Sequence, residues 1–466
     1  MSEKINHQNK SNSPNPRMIA FKVLMRVQDE GGYSNIALNE ALAAANPEPR
    51  DRAFITRLVY GVLEKSEYLD HVISSYLSYG KHSGYGKHSK SGVHVEPEVR
   101  CILRMAVYQM AFLNTPDSAA VNESVNLAKK RKLFRATGFI NGLLRSFIRD
   151  GKQVMLPDRS EQPEEYLSIQ YSCPLWLVRL WRRSYGNEIC EKILSSLEGR
   201  PPIFLRVNTT RVSAESLVKC LATAGVRATA SPVLSGCVCI DETGDIAALP
   251  GFAEGYFHVQ DASSQLCCAI ASPVSGNVVY DVCAAPGGKS FSLAELMENR
   301  GKIVSCDLHP HRVELIAEGA KRLGLSCVEP TVRDALGECE QECADLVLCD
   351  VPCSGLGIIR RKPDIKRKPQ SEVEGLPELQ YRILENSSRL VRRGGRLIYS
   401  TCTLNPAENS SVIEKFLQNH CDFEPCPIES PDDNIRVINE PDWQITLFPH
   451  IFNTDGFFIS SIRRKD

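Results

Sequence analysis

Residues 278–307 read VVYDVCAAPGGKSFSLAELMENRGKIVSCD. Val278–Cys283 is an apolar run suited to a buried strand, and Lys302–Asp307 is a second one. Between them Gly287 and Gly288 mark a turn into a helix over Phe291–Glu298. Strand, glycine turn, helix and strand make a parallel crossover unit. The rhythm continues downstream. Strands fit Cys327–Arg333, Leu346–Asp350, Arg396–Ser400, Asp422–Ile428 and finally Gly456–Ile462. Helices fill the intervals: in His309–Leu325, Val313, Ile316, Ala317, Ala320 and Leu323 share one face. This alternation predicts a doubly wound α/β domain over residues 261–466. Ligands of such sheets bind outside the carboxyl ends of the strands.

Upstream the pattern changes. In residues 201–260 FLRVN, VRATA and CVCID are β-like and Ser213–Ala224 is helical, which predicts a small α+β unit. Residues 151–200 read as a linker followed by helices over Trp176–Leu197, ended by Pro201–Pro202. Residues 18–150 carry helical periodicity and no convincing strand. Ala20, Val23, Leu24 and Val27 fall at i, i+3, i+4, i+7, and further helices fit Arg52–Tyr68, Glu96–Phe112, Ala119–Lys130 and Gly138–Ile148. The chain is thus expected to be multidomain, opening with an all-α bundle. Residues 1–17 form a polar tail. A tandem hexapeptide, YGKHSG then YGKHSK over Tyr79–Lys90, reads as an exposed loop lengthened by duplication.

Composition narrows the function. The 466 residues carry a formal net charge of −1, so no global field draws the chain to nucleic acid and any such footprint must be local. The 18 cysteines are scattered without a CxxC pair or histidines at zinc-finger spacing. They read as reduced, mostly buried thiols, with no metal site. Met1–Arg17 lacks the apolar core of a signal peptide, and no apolar run approaches a membrane span. A cytoplasmic protein is expected.

The strand ends carry the chemistry. DVCAAPGGKS at Asp281–Ser290 lets a ligand approach backbone N–H groups at a helix start, but it is neither G-x-G-x-x-G nor a P-loop. Asp307 ends the next strand and is placed to meet ribose hydroxyls. Asp334 follows the third strand, toward an adenine amino group, and Asp350 ends the fourth. A nucleoside cofactor without a pyrophosphate, such as S-adenosylmethionine, suits this lip better than NAD. Cys353 in DVPCSG and Cys402 in STCT follow the fourth and fifth strands. A thiolate there can add to carbon 6 of cytosine, making carbon 5 electron-rich enough to take a methyl group from a sulfonium. Two cysteines at one cleft permit attack and release to be divided between them. Spacing leaves open which one attacks.

Residues 261–466 resemble the RNA 5-methylcytosine methyltransferases of the Nol1/Nop2/Sun family. The matching pieces are QDASSQ at Gln260–Gln265, DVCAAPGGKS, Asp307, Asp334, DVPCSGLGIIRRKPDIK at Asp350–Lys366, STCTLNPAEN at Ser400–Asn409 and DGFF at Asp455–Phe458. The bundle resembles the NusB-type RNA-binding domain through VNESVNLAK at Val121–Lys129 and INGLLR at Ile140–Arg145. The unit at 201–260 is similar to the family's RNA-recognition-like domain. The resemblance implies S-adenosyl-L-methionine as cofactor, Cys402 as nucleophile and Cys353 as the group assisting release. It further implies a cofactor site lined by Cys283, Ala284, Ala285, Pro286, Gly287, Gly288, Lys289, Asp307, Asp334 and Asp350. This domain combination resembles the bacterial members that methylate a cytosine of small-subunit (16S) ribosomal RNA, with no obligate protein partner and no membrane.

Two basic runs bear on RNA. Lys129–Arg135 is a solvated helix end or a phosphate patch. Arg360–Lys368, directly after the Cys353 loop, is expected to present a basic surface flanking the reacting centre. Three rival functions bear on the same motifs. Methylation of another RNA such as tRNA stays open. A DNA cytosine-5 methyltransferase attacks from a PC cysteine and lacks the TC cysteine. A non-catalytic assembly factor has no need of either motif.

Overall fold

The computed structural model describes residues 15–30, 34–79, 87–89, 92–241, 244–338, 340–429, 436 and 438–466. Most of the tail and most of the tandem hexapeptide lie outside them. Among the described residues no helix is long and apolar enough to cross a membrane. The chain divides into two compact units, one of residues 1–179 with 362–367 and one of 180–361 with 368–466.

The first unit is helical. Its helices are Pro16–Glu30, Ser34–Ala45, Pro49–Glu64, Ser66–Tyr79, Pro97–Phe112, Asp117–Lys130, Thr137–Arg149 and Pro163–Gln170. Proline opens four of them, where its fixed φ suits the first turn and its missing N–H costs nothing. The helix expected over Arg52–Tyr68 is in fact two, because the chain leaves helical geometry at Lys65 (φ −99°, ψ 20°). The break lets Leu58, Val59 and Val62 on one side and Leu69, Val72 and Ile73 on the other reach the same core. Helix Ser34–Ala45 was not anticipated; it buries Leu38 and Leu42. Two short antiparallel strands, Lys87–Ser89 and Gly92–His94, also depart from the all-helical expectation.

Residues 362–367 pack as part of this unit. Lys366 is 4% exposed, and its Nζ donates to Glu64 O at 3.2 Å and to Ser172 O at 2.8 Å. Asp364 accepts from Ser34 Oγ.

The second unit begins with a four-stranded antiparallel sheet in the order 228–230, 237–240, 203–207, 257–259. Helix Ala214–Thr223, capped by Ser213, packs on it through Leu217 and Leu221 against Leu205, Val238 and Phe257. The last strand, Phe257–Val259, completes the sheet beyond the anticipated elements.

The large sheet follows. Its strands are β1 Val278–Asp281, β2 Lys302–Asp307, β3 Val328–Val332, β4 Ala344–Asp350, β5 Val391–Thr401, β6 Phe423–Pro425, β7 Gln444–Leu447 and β8 Phe457–Arg464. The order is β3-β2-β1-β4-β5-β8-β6, with β7 also pairing β8. The first five are parallel, as expected. The last three are antiparallel to their neighbours, a departure from the all-parallel reading, and β7 was not foreseen. Helices cover both faces. On one lie α1 Ala262–Ala271, α2 Gly288–Leu296 and α3 Pro310–Leu323, whose Leu266, Leu293 and Ile316 join one apolar core. On the other lie α4 Leu376–Ser388 and α5 Ser410–Asn419, with Leu384, Ile413 and Phe416 in a second.

Candidate active site

The sheet reverses its strand order between β1 and β4, so the crevice at the carboxyl ends of these two strands is where ligands of this architecture bind. Register places the expected residues in one row. Asp307 is opposite Val332, two residues before Asp334; Asp281 is opposite Ser305 and Leu348; Asp350 is opposite Ser400, two residues before Cys402.

The glycine turn is built as the sequence requires. Gly287 has φ +105°, and a Cβ there would sit 2.4 Å from the Phe291 ring, so only glycine fits. Ala284 N donates to Cys306 O at 2.7 Å, fastening the turn to β2. Arg312 donates to Ala285 O at 3.0 Å and pairs with Asp307 at 3.2 Å, which ties the second strand end to the first. Asp334 is exposed, and its Oδ1 accepts from Leu336 N at 2.9 Å. Below the turn Asp281 is fully buried. Ser290 Oγ donates to its Oδ2 at 2.7 Å, while Oδ1 has no partner. Burial pushes the Asp281 carboxyl up to about 7, against the pull of the Ser290 hydrogen bond. The buried free oxygen and the Cβ-free turn fit a ligand seated over β1. Arg206, on the small sheet, donates to buried Glu295 at 2.7 Å and so steadies α2.

Beside the turn, Lys289 Nζ donates to Asp350 Oδ2 at 2.8 Å and lies 5.2 Å from the Phe457 ring centre. Burial works against the Lys289 charge, but Asp350 outweighs it and holds the ammonium above the usual lysine range. Ser400 Oγ donates to Asp350 Oδ1 at 2.8 Å, so both oxygens of this carboxylate are held.

Cys353 and Cys402 meet. Their Sγ atoms are 3.1 Å apart, both partly exposed. The hydrogen bond to Cys402, burial and the negative charges of Glu408 and Asp350 push the Cys353 thiol well above the ordinary range. Among the described residues this contact is the only side-chain hydrogen bond of Cys402. The sequence showed no neighbouring histidine for Cys402; the partner is the other cysteine.

The basic run is a correction. Arg361 donates to Asp455 at 2.7 and 2.8 Å and to Asp261 at 2.7 Å. Lys368 donates to Ser354 O at 2.9 Å, Arg360 reaches Arg200 O at 2.7 Å, and Lys366 is buried. Arg361, Lys366 and Lys368 thus fasten chain segments together, while Arg367 is exposed and Arg360 and Lys362 are half-buried. In the other run Lys129, Lys130, Lys132 and Arg135 are exposed, and Arg131 pairs with Glu98. Sequence reasoning missed Asp281, Ser400 and Glu408. Each is a buried polar residue; Ser400 and Glu408 bond to other segments, whereas Asp281 is met by Ser290 of its own turn.

Comparison with known proteins bears on the same regions. The family model described as 16S rRNA methyltransferase RsmB/F matches residues 268–463. The NusB family model matches 14–149, and the RsmF/B-like ferredoxin-like domain matches 173–247. The probable ribosomal RNA small subunit methyltransferase B of Bacillus subtilis (strain 168) is 39% identical, over 96% of this chain and 98% of that one. Its counterpart in Synechocystis sp. is 36% identical, over 96% and 99%. The crystal structure of PH0851 superposes with a TM-score of 0.78 at 27% identity, covering 98% of this chain and all of the other. A methyltransferase homologue from Pyrococcus horikoshii gives 0.57 at 29% identity, over 66% of this chain and 100% of that one. The chain therefore belongs to the ribosomal RNA small subunit methyltransferase B (RsmB) family.

Proposed function

We propose that this protein methylates carbon 5 of a cytosine in small-subunit ribosomal RNA, through a covalent adduct between Cys402 and carbon 6 of the base. The observation that carries the reading is the 3.1 Å approach of the Cys353 and Cys402 sulfurs at the ends of β4 and β5. S-Adenosyl-L-methionine, when bound, supplies an electrophilic methyl group. The residues to hold it are Cys283–Lys289 at the glycine turn, Asp307, Asp334 and Asp350. The family relationship and the domain combination support ribosomal RNA as the substrate.

The Cys402 thiolate forms a bond to carbon 6, and the electron pair of the 5,6 double bond becomes available at carbon 5. Once carbon 5 carries the methyl group, a base takes its proton, and the C–H electron pair restores the double bond and expels the Cys402 sulfur as thiolate. Cys353 is the group beside that sulfur and assists its release. Asp350, fixed by Lys289 and Ser400, stands between the glycine turn and the cysteines. The base itself must be unpaired or extruded to reach them.

Cys402→Ala is expected to abolish methyl transfer to ribosomal RNA; full activity would remove its role. Cys353→Ala is expected to accumulate a protein–RNA adduct, seen as a slow band on a denaturing gel, and its absence would count against the release role.

A further inference from the structure

The segment after Cys402, Leu404–Asn409, contains one carboxylate. Glu408 is fully buried. Its Oε1 accepts from Ser354 Oγ at 2.6 Å and from Asn405 Nδ2 at 2.9 Å. Its Oε2 accepts from Ser354 N at 2.8 Å and from Gln380 Nε2 at 2.9 Å. Four donors meet the four acceptor positions of this side chain, the hydrogen-bond set that suits a carboxylate. Among the described residues it has no ion pair.

Those donors belong to both cysteine loops. Ser354 follows Cys353, and Gln380 also donates to Pro352 O at 3.0 Å. Asn405 follows Cys402, and Thr403 Oγ1 lies 2.7 Å from Ser354 Oγ. Tyr399 OH donates to Glu408 O at 2.6 Å, fixing the residue against β5. One side chain thus spans the two loops whose sulfurs meet.

We infer that Glu408 is the positioning residue of this site: it holds Cys353 against Cys402 and determines which of the two thiols keeps the proton. A buried negative charge beside the Cys353 loop disfavours a second negative charge on Cys353. The other carboxylate acting on Cys353 is Asp350, already paired with Lys289; Lys368 donates to Ser354 O, next along the Cys353 loop. A Cys353 thiol has the Cys402 sulfur 3.1 Å away as its acceptor, which leaves Cys402 as the sulfur available to attack. Glu408 replaces the missing histidine by setting the proton's place, not by taking it. This rests on the proposed roles of the two cysteines, but its test needs neither RNA nor cofactor.

The test is peptide-resolved mass spectrometry of iodoacetamide alkylation between pH 7 and 10 on the full chain. The wild type is expected to alkylate Cys402 at least tenfold faster than Cys353 at pH 8. Glu408→Gln keeps the shape but removes the charge, and should bring the two rates within about threefold. Glu408→Asp should restore much of the difference. If Glu408→Gln does not fold, Ser354→Ala is read instead. It loosens the Cys353 loop but leaves the charge, so Cys402 should stay the faster thiol. A folded Glu408→Gln protein with an unchanged rate ratio overturns the inference, as does Cys353 reacting first in Ser354→Ala. Loss of methyl transfer in Cys402→Ala remains a separate readout of the catalytic roles.

Discussion

Gly357→Ala should separate the geometry of the cysteine pair from the overall stability of the sheet. A Cβ on Gly357 would lie 1.9 Å from Gly456 O, 2.6 Å from Gly456 C and 2.9 Å from Cys402 O. All three are backbone atoms, so no rotamer change relieves the clash. Reaching ordinary contact demands a backbone displacement of about 1.5 Å, judged by the usual contact limit near 3.4 Å. That movement breaks Gly357 N–H to Cys402 O, 3.0 Å, and Gly456 N–H to Gly357 O, 2.9 Å. Two such bonds contribute about 1 kcal/mol each, and overpacking adds roughly 1–3 kcal/mol, so the loss is about 3–5 kcal/mol. The catalytic effect should be larger than the stability effect suggests. A misplacement of about 1 Å costs roughly 100-fold in rate, and the displaced carbonyl is that of Cys402 itself. Single-turnover transfer of labelled methyl groups to ribosomal RNA measures it, with the denaturation midpoint recorded alongside. Gly375→Ala is the control: nothing lies within 4 Å of its Cβ position, and it should behave as wild type. A Gly357→Ala protein with a rate within threefold of wild type and an unchanged midpoint would refute the reasoning.

Lys289→Met should destabilise the catalytic unit by about 3 kcal/mol, the low end for a broken buried pair because Asp350 is a quarter exposed. Lys289→Met with Asp350→Asn should recover part of that in urea denaturation, and no recovery would argue against the pair. For Asp281, the folded carboxyl at about 7 lies above its unfolded value near 3.9. The native state therefore binds that proton more tightly, and the stability it contributes is complete below about pH 4 and lost as pH rises to about 7. Asp281→Asn should gain on the wild type by a few kcal/mol from pH 4 to pH 8; parallel stability curves would contradict the shift. Lys366→Met, which removes the donor to Glu64 O and Ser172 O, should destabilise the helical unit by about 1–3 kcal/mol. It should leave the salt dependence of RNA binding unchanged, whereas a phosphate-contacting lysine would change the slope by about 0.7, the value for a single strand.

What the sequence revealed follows the range of the forces involved. Strand periodicity and the glycine turn are local, so β1 to β5 and the row of Asp307, Asp334, Asp350, Cys353 and Cys402 were legible. Helix Ser34–Ala45 was missed because its alanine-rich run has a shallow apolar contrast, and β7 because four residues carry little period. Antiparallel pairing of β8 with β5, β6 and β7 depends on contacts between distant segments. The inward ties of the basic run were illegible for the same reason. Arg361 looks like a free cation until Asp261 and Asp455, about a hundred residues away on either side, are brought to it. Glu408 likewise reads as a surface glutamate after a proline until Ser354 and Gln380 close on it.

Strand β8 has a consequence for synthesis. It is the partner of β5 over Arg396–Thr401, the strand that delivers Cys402. Just ahead of it, Gly456 is bonded to Gly357 and Asp455 to Arg361. All of these residues are translated after everything else that builds the site. On a growing chain, then, β5 is a bare sheet edge, and the Glu408 contacts that join the two cysteine loops must form without β8 beside them. A chain cut before Asp455 keeps both cysteines and the whole glycine turn, yet exposes an apolar edge able to pair with another copy. Partial products should therefore be prone to aggregate, and the strand that delivers Cys402 is covered only once those closing residues have been added.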